Sequence, residues 1–386
     1  MFRLASLMFC VFTITTGEFV VAGLLPRVAA DLEVTVGTAG LLITAYALGM
    51  IVGGPVLTAL TAASERKRLM QMLLVVAVLG NAVSALAPEF APLLIARVLT
   101  ASVTSTFFAQ AIVVAVGSAP PGRAGGTVAR LVFGMNLAMI LGAPLGTLIG
   151  GQWGWRATFW AIALAGLVGL ALVSVLVEVP PAQSRTSAVT ELAVLRRGPV
   201  LLALTVTAVG NLGVLMVFSY LAPLAGLAGH ALDRLPLLLL GYGVGAAIGN
   251  LAGGILYDRN PVLCQPVLLG LLAAALVATW FVARMPVPSA VAVVVIGALA
   301  FAVIPGMQAR VLRTAAAAPT LAMAVNASGY QVAAAGAGLL GGLITDSAGP
   351  RHLYLVAAGF TLCGLSLTLI GTRANRLPRS SARVDV

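Results

Sequence analysis

The sequence predicts an all-α membrane protein with twelve transmembrane helices in two parallel six-helix repeats. The 386-residue chain is 60% hydrophobic and only 9% charged, whereas a soluble domain has about 25% charged residues. Apolar runs of about twenty residues recur along the chain and match the roughly 30 Å hydrocarbon core of a bilayer. Stretches such as 69–87 and 157–177 are apolar throughout and do not alternate, which favours helices over barrel strands.

Twelve apolar runs define the predicted helices, and the longest polar stretch divides them six and six. The first run follows Arg3 and contains Glu18; it is too long for a signal peptide and many further runs follow it. The predicted helices cover 4–25, 37–61, 69–87, 92–116, 125–150, 157–178, 199–225, 235–256, 262–283, 287–307, 318–344 and 350–372. The predicted domains are an N-terminal half (1–179), a linker (180–198), a C-terminal half (199–372) and a tail (373–386).

The basic residues predict the orientation of the chain. Fifteen Lys and Arg residues fall at the N-terminus, in the even-numbered loops and in the tail, and five fall in the odd-numbered loops. Because basic loops stay in the cytoplasm, we expect both termini to be cytoplasmic in a multi-pass protein of the inner membrane. The net charge of +11 then reflects topology, and nucleic acid is not an expected partner.

The two halves repeat weakly at an offset near 195 residues. Predicted helices 5 and 11 carry small residues at every fourth position, Gly134, Ala138, Gly142, Gly146 and Gly150 in the first and Gly329, Ala333, Ala337, Gly341 and Thr345 in the second. An even number of helices per repeat gives both halves the same orientation. Parallel repeats of this kind are typical of one large class of secondary transporters, and small residues at this spacing let helices pack closely.

Four local patterns carry a resemblance to a known family. They are residues 16–26 (TGEFVVAGLLP) with 39–49 (AGLLITAYALG); the loop at 58–68, which ends in Arg66, Lys67 and Arg68, with its counterpart Asp258-Arg259; Arg97; and residues 142–146 (GAPLG) followed by Gly150. Together they resemble the major facilitator superfamily. Within it the chain is similar to the twelve-span drug:proton antiporters, especially bacterial chloramphenicol-efflux and arabinose-efflux permeases.

The resemblance implies roles for these residues. Arg66, Lys67, Asp258 and Arg259 would latch the cytoplasmic ends of the two halves, although the first loop lacks the family's glycine, acid and first arginine. Arg97 would take part in proton coupling. Gly142, Pro144, Gly146 and Gly150 resemble the helix 5 motif of antiporters, in which Ala143 replaces the usual glycine before the proline, and Gly134 extends the same stripe. A proline distorts a helix, and Leu339 replaces it in helix 11, so we expect a bend in the first half only.

Glu18 is the carboxylate that the sequence places well inside a span. An ionised group at the bilayer centre costs roughly 2.5–3.5 kcal/mol even on lenient scales, so such residues usually face a cavity and act there. Apolar surroundings favour the protonated carboxyl, and Glu18 is therefore the predicted proton carrier. Arg97 is the predicted counter-charge; the alternative for Arg97 is a side chain that snorkels to the membrane surface.

A second set of residues are candidates for a substrate cavity, because polar or aromatic side chains within spans can bind a small molecule. They are Tyr46, Phe107, Gln110, Phe133, Asn136, Asn211, Tyr220, Asn326 and Gln331. For each residue alone, a contact between helices is the more common role. Few of the polar side chains lie within the spans, which favours a largely apolar or amphipathic substrate over a sugar.

The sequence predicts a transporter and not an enzyme. It has no phosphate-binding loop, no metal-ligand spacing and no nucleophile motif, so no cofactor is expected and the energy would come from a proton gradient. The expected partners are a small-molecule substrate, protons and the lipid bilayer, and the chain is expected to be monomeric. Two alternatives stay open: efflux of a sugar or related metabolite by the same fold, and a membrane sensor or scaffold that transports nothing.

Overall fold

The computed structural model describes residues 2–61, 64–118, 124–177, 198–314 and 319–374. They form twelve helical units, which we number α1 to α12. The units are α1 (Phe2–Phe19 and Val21–Asp31), α2 (Val36–Leu48, Gly49–Gly53 and Gly54–Leu60), α3 (Arg66–Leu86), α4 (Phe90–Gly117), α5 (Ala124–Leu137, Ala138–Gly142 and Ala143–Trp153), α6 (Trp155–Leu176), α7 (Gly198–Ser219 and Leu221–Leu227), α8 (Leu235–Arg259), α9 (Cys264–Val282), α10 (Pro286–Ala302 and Ile304–Thr314), α11 (Pro319–Ser347) and α12 (Leu353–Ala374). The predicted linker and tail lie almost wholly outside the described residues.

Eleven of these units are long and apolar enough to cross a membrane. The exception is α11, which has 29 residues but is rich in glycine and carries Asn326, Tyr330 and Gln331. Its length still matches the other spans, and its polar side chains face protein, as described below. The chain is thus a multi-pass membrane protein whose least apolar helix lies between other helices.

Prolines interrupt several helices. In α7 and α10 the helix breaks at Tyr220 and Val303, just before Pro223 and Pro305. In α2 and α5 a π-helical turn, Gly49–Gly53 or Ala138–Gly142, directly precedes a segment with proline in its first turn. The wider π-helical turn accommodates the proline ring, which would otherwise clash with the backbone carbonyl four residues earlier.

The distortion of α5 is not repeated in the second half. Pro144 follows the π-helical turn in α5, whereas α11 has Leu339 at the corresponding position and is continuous. The same holds for α2, where Pro55 corresponds to Leu251 in the continuous helix α8. The expected difference between helices 5 and 11 is confirmed for that pair, and the pair α2/α8, which the sequence analysis did not single out, shows the same difference.

The packing repeats as the sequence predicts. A Cβ atom added to Gly49 in α2 would meet the backbone of Val98 in α4, and one added to Gly245 in α8 would meet the backbone of Val294 in α10. Both residues of the second pair lie 196 positions after those of the first. Helix pairs α2/α4 and α8/α10 therefore pack in the same register, with glycine permitting the close approach.

We call the side that carries residues 2 and 374 the terminal side, and the opposite side the far side. The two halves meet mainly through α2 against α11 and α5 against α8, with a smaller contact between the second segments of α1 and α7. These contacts involve the far-side parts of the helices. The terminal-side segments Gly54–Leu60, Ala124–Leu137 and Ile304–Thr314 have their main contacts within their own half, so the halves diverge toward the terminal side.

Candidate functional site

Glu18 and Gln331 form a hydrogen bond between the two halves. Glu18 lies near the end of the first segment of α1 and is half-buried. Its Oε1 accepts a hydrogen bond of 3.0 Å from Nε2 of Gln331 in α11. The acceptor of the amide, Gln331 Oε1, is buried and has no hydrogen-bond partner in the described part of the chain. An acid predicted from the sequence thus contacts an amide from the opposite half.

Arg97 lies inside the first half and does not reach the membrane surface. Its side chain is only 1% exposed, so the snorkelling alternative is wrong. The guanidinium carbon lies 4.2 Å from the centroid of the Tyr46 ring and 5.8 Å from that of Phe159. A cation over an aromatic face is attracted to it. The Tyr46 hydroxyl donates to Thr104 Oγ1 at 3.0 Å, which fixes the ring beneath the charge.

Glu18 and Arg97 interact electrostatically without forming a close ion pair. The negative charge of Glu18 and the positive charge of Arg97 are close enough to attract each other. Among the residues that the structure describes, however, no ion pair within 4.0 Å joins these two side chains. Tyr46 and Tyr330 are the neutral phenols near the Glu18 carboxyl. The site therefore combines one half-buried acid with one enclosed cation.

Most of the predicted cavity residues occupy helix interfaces. Tyr46, Phe107, Asn211, Tyr220 and Asn326 are all at most 7% exposed. Asn211 Nδ2 donates to Thr207 O one turn earlier, and Asn326 Oδ1 accepts from Thr207 Oγ1 at 2.7 Å. For these five residues the structure favours a packing role over a lining role, because they are buried and their polar groups bond to protein atoms of their own or neighbouring helices. Gln110 is half-buried near the terminal side of α4.

Phe133 and Asn136 do line a cleft. It lies between α5 and α8 and encloses about 550 Å³ counted to its open mouth. Its wall is mainly apolar and includes Phe301 and a second amide, Asn250, which the sequence analysis did not single out. The cleft ends where Ile140 packs against Gly243. Two amides in an apolar wall suit a small amphipathic molecule.

The predicted glycine stripe packs α5 against α1, the helix that carries Glu18. A Cβ atom added to each of these glycines would meet a residue of α1 that lies 126 positions earlier: Met8 for Gly134, Thr16 for Gly142, Val20 for Gly146 and Leu24 for Gly150. Both helices therefore run side by side in fixed register. In the second half, Gly341 packs on Met216 and Tyr220 of α7 in the same way. The stripe joins helices within one half rather than between halves.

The far-side ends of α2 and α11 form a second contact between the halves, which we call the far-side seal. The Asp346 carboxylate accepts hydrogen bonds from Thr35 Oγ1 at 2.6 Å and from Gly37 N at 3.1 Å. This places a negative charge at the N-terminus of α2, where the helix dipole favours it. Gly342 lies directly against Gly37, and Thr44 Oγ1 donates to Ala335 O at 3.0 Å deeper in the interface.

The predicted latch residues lie on the terminal side. Arg66 and Lys67 begin α3, and Asp258 and Arg259 end α8. Within the described ranges no ion pair links these residues across the halves, which agrees with the divergence of the halves on this side. Their role as a latch stays a prediction.

A twelve-helix bundle with two repeated halves, and with an acid and a cation between its helices, is the architecture of a membrane transporter. The chain belongs to the Major Facilitator Superfamily, because residues 7–320 match that family. Membership confirms the predicted fold and the predicted absence of enzyme character.

Two relatives and one solved structure illustrate the likeness. The inner membrane transport protein YdhP of Escherichia coli K12 is 35% identical over 98% of this chain and 97% of its own. The chloramphenicol resistance protein of Streptomyces lividans is 35% identical over 93% of this chain and 94% of its own. A bacterial homologue of the human lysosomal transporter Spinster, in its inward-facing and unoccupied conformation, superimposes with a TM-score of 0.80 over 96% of each chain at 14% identity.

Proposed function

We propose that the protein is a proton-coupled antiporter that exports a small, largely apolar or amphipathic compound by alternating access. The observation that supports this most directly is the half-buried Glu18, which accepts a hydrogen bond from Gln331 of the opposite half beside the enclosed charge of Arg97. In this proposal the terminal side faces the cytoplasm, both termini are cytoplasmic, and the protein acts as a monomer. A reporter fused after Val386 should then be active only as a cytoplasmic reporter; periplasmic activity would contradict this orientation.

In this scheme Glu18 carries the proton. When Glu18 is ionised, it accepts a charge-assisted hydrogen bond from Gln331, and such bonds are about twice as strong as neutral ones. When it is protonated, this attraction between the halves weakens. Arg97 does not release its proton, so its part is to favour the ionised carboxylate. Substrate that enters from the terminal side would displace the proton of Glu18 to the cytoplasm.

The energy available from one proton sets the scale of export. One charge that moves down about 100 mV yields about 2.3 kcal/mol. Since about 1.4 kcal/mol corresponds to a factor of ten, this supports roughly a fifty-fold concentration ratio of a neutral solute. That ratio is enough for resistance to a toxic compound, and no soluble energy-converting domain is needed.

The cleft between α5 and α8 supports an amphipathic substrate. Its wall combines Asn136 and Asn250 with apolar side chains such as Phe133 and Phe301. A sugar would need many more hydrogen-bonding side chains to replace its hydration. The named activity of the Streptomyces lividans relative makes chloramphenicol the first compound to test.

The test uses everted vesicles with a pH-sensitive dye. We expect addition of chloramphenicol or another amphipathic antibiotic to cause proton release, and addition of sugars to cause none. Glu18→Gln keeps the shape of the carboxyl but cannot release a proton, so it should abolish uphill transport while the purified protein still binds substrate. Glu18→Asp is the matched control and should retain activity with a shifted pH profile. Wild-type uphill transport by Glu18→Gln would contradict the proposal.

A further inference from the structure

Two buried polar groups near the centre of the first half lack partners. All three guanidinium nitrogens of Arg97 are buried without a hydrogen-bond partner among the described residues. Asn81 in α3 is 3% exposed; its Nδ2 donates to Ala77 O at 2.8 Å, but its Oδ1 is buried and unpartnered in the same part of the chain. Buried polar groups normally have partners, and a buried cation needs them most.

The two groups face the same small space beside Gly17 of α1. A Cβ atom built on Gly17 would lie 3.7 Å from Asn81 Oδ1 and 3.9 Å from Arg97 Nη1, with Ile162 Cγ2 next at 4.0 Å. Because Gly17 has no side chain, a methyl-sized group on this face of α1 would approach no side chain of the neighbouring helices closer than 3.7 Å. The space is enclosed, it has two polar neighbours, and Glu18 is the next residue along the chain.

We propose that this space is a binding site for a buried water molecule, which accepts a hydrogen bond from Arg97 Nη1 and donates one to Asn81 Oδ1. The chemistry of the two groups selects water. The orientation of the Asn81 amide follows from its bond to Ala77 O, so its oxygen is the end that faces Arg97. An anion would suit the guanidinium but would be repelled by this oxygen, whereas water can accept from one group and donate to the other.

The water gives Asn81 a positioning role in proton coupling, an extension that rests on the proposed function of Glu18. It holds the guanidinium of Arg97 on the Gly17 face of α1 and satisfies part of its charge. The charge of Arg97 then stays in one place and only partly stabilises the ionised form of Glu18. The other groups near the carboxyl are the amide of Gln331 and the phenols of Tyr46 and Tyr330, which stay neutral.

Infrared difference spectra of the purified protein in lipid nanodiscs test the inference. The carboxyl band that disappears in Glu18→Gln reports the protonation of Glu18, and its intensity is followed against pH. Asn81→Asp supplies a carboxylate that pairs with Arg97, so half-protonation of Glu18 should move to higher pH by about one unit or more. Asn81→Leu removes the group that accepts the hydrogen bond of the water. Arg97 then relies on the ionised Glu18 carboxylate to balance its charge, so half-protonation of Glu18 should move to lower pH.

Gly17→Ala tests the water itself. The methyl group fits at ordinary contact distances but occupies the space of the water, so half-protonation should move to lower pH, as in Asn81→Leu. Gly270→Ala is the control, because a Cβ atom there meets nothing within 4 Å, and it should cause no shift. Shifts of Asn81→Asp and Asn81→Leu in the same direction, or an unshifted Gly17→Ala, would overturn the inference. A protein with no titrating Glu18 band would instead refute the proposed function.

Discussion

The far-side seal can be opened by one methyl group. In Gly342→Ala the new Cβ atom would lie 2.7 Å from Gly37 O and 3.0 Å from Gly37 Cα. Both neighbours are backbone atoms, which cannot rotate away, and ordinary contacts are 3.4–4 Å. The helices α2 and α11 must therefore separate before the methyl group fits.

The size of the effect follows from this overlap. Overpacking of a close interface costs about 1–3 kcal/mol. This cost applies only to the sealed conformation, because the added methyl group contacts nothing in the other half once the seal is open. The equilibrium should therefore shift toward the conformation open on the far side by about 5-fold to 150-fold. Gly338→Ala, which would bring a Cβ atom 2.9 Å from Thr44 N, should act in the same direction and serves as a second variant.

Electron-paramagnetic distance measurements can detect the shift. Spin labels at Trp153→Cys and Ala348→Cys place one probe on the far side of each half. The background carries Cys264→Ser and Cys363→Ser so that these cysteines are not labelled, and Cys10 can stay because it is fully buried. We expect a longer-distance population in Gly342→Ala that is minor in the parent protein. Gly359→Ala, where a Cβ atom meets nothing within 4 Å, is the control. An unchanged distance distribution in both Gly342→Ala and Gly338→Ala would refute the seal.

Two further predictions concern the packing of α5 and the far-side surface. Gly146→Leu should insert but fail to transport, because its side chain would collide with Val20 of α1; Gly126→Leu, where a Cβ atom meets nothing within 4 Å, should stay active in the vesicle assay. Hydrogen bonds from Arg156 and then Trp155 hold the pKa of Asp31 below its usual range. The ionised Asp31 carboxylate therefore stabilises the folded protein above about pH 4, and this stabilisation is lost as the pH falls through the lowered pKa. Because the ion pair is exposed, Asp31→Asn should lower the free energy of unfolding by at most about 1 kcal/mol at neutral pH in thermal unfolding. Equal losses at pH 3 and pH 7 would contradict the assignment.

The sequence predicts the helices well because partition into lipid depends on the composition of each run. It also predicts the distortion at Pro144, since a proline acts on its own helix. The breaks at Val20, Tyr220 and Val303 were not predicted. The prolines that follow two of them do not by themselves indicate whether a helix kinks, widens or stops.

The site was predicted less completely, and the reason is physical. Glu18 and Arg97 stand out because a charge within a span is costly wherever it packs. An amide carries no such signal: Asn211 bonds to the backbone of its own helix and Gln331 to an acid across the interface, yet both look alike in the sequence. Only the register of α11 against α1 separates them, and that register depends on contacts more than three hundred positions apart along the chain.

The arrangement divides the control of Glu18 between two partners. The glycine stripe fixes α1 against α5, and Arg97 is enclosed in the same half, so Arg97 and Glu18 would move together in the proposed rocking of the halves. Gln331 belongs to the other half and would move relative to them. A proton can shift a conformational equilibrium only through an interaction that differs between the two conformations. In the proposed mechanism Arg97 would therefore set a constant preference for the ionised acid. The hydrogen bond to Gln331 would be the contact through which protonation of Glu18 changes the balance between the sealed and the open far side.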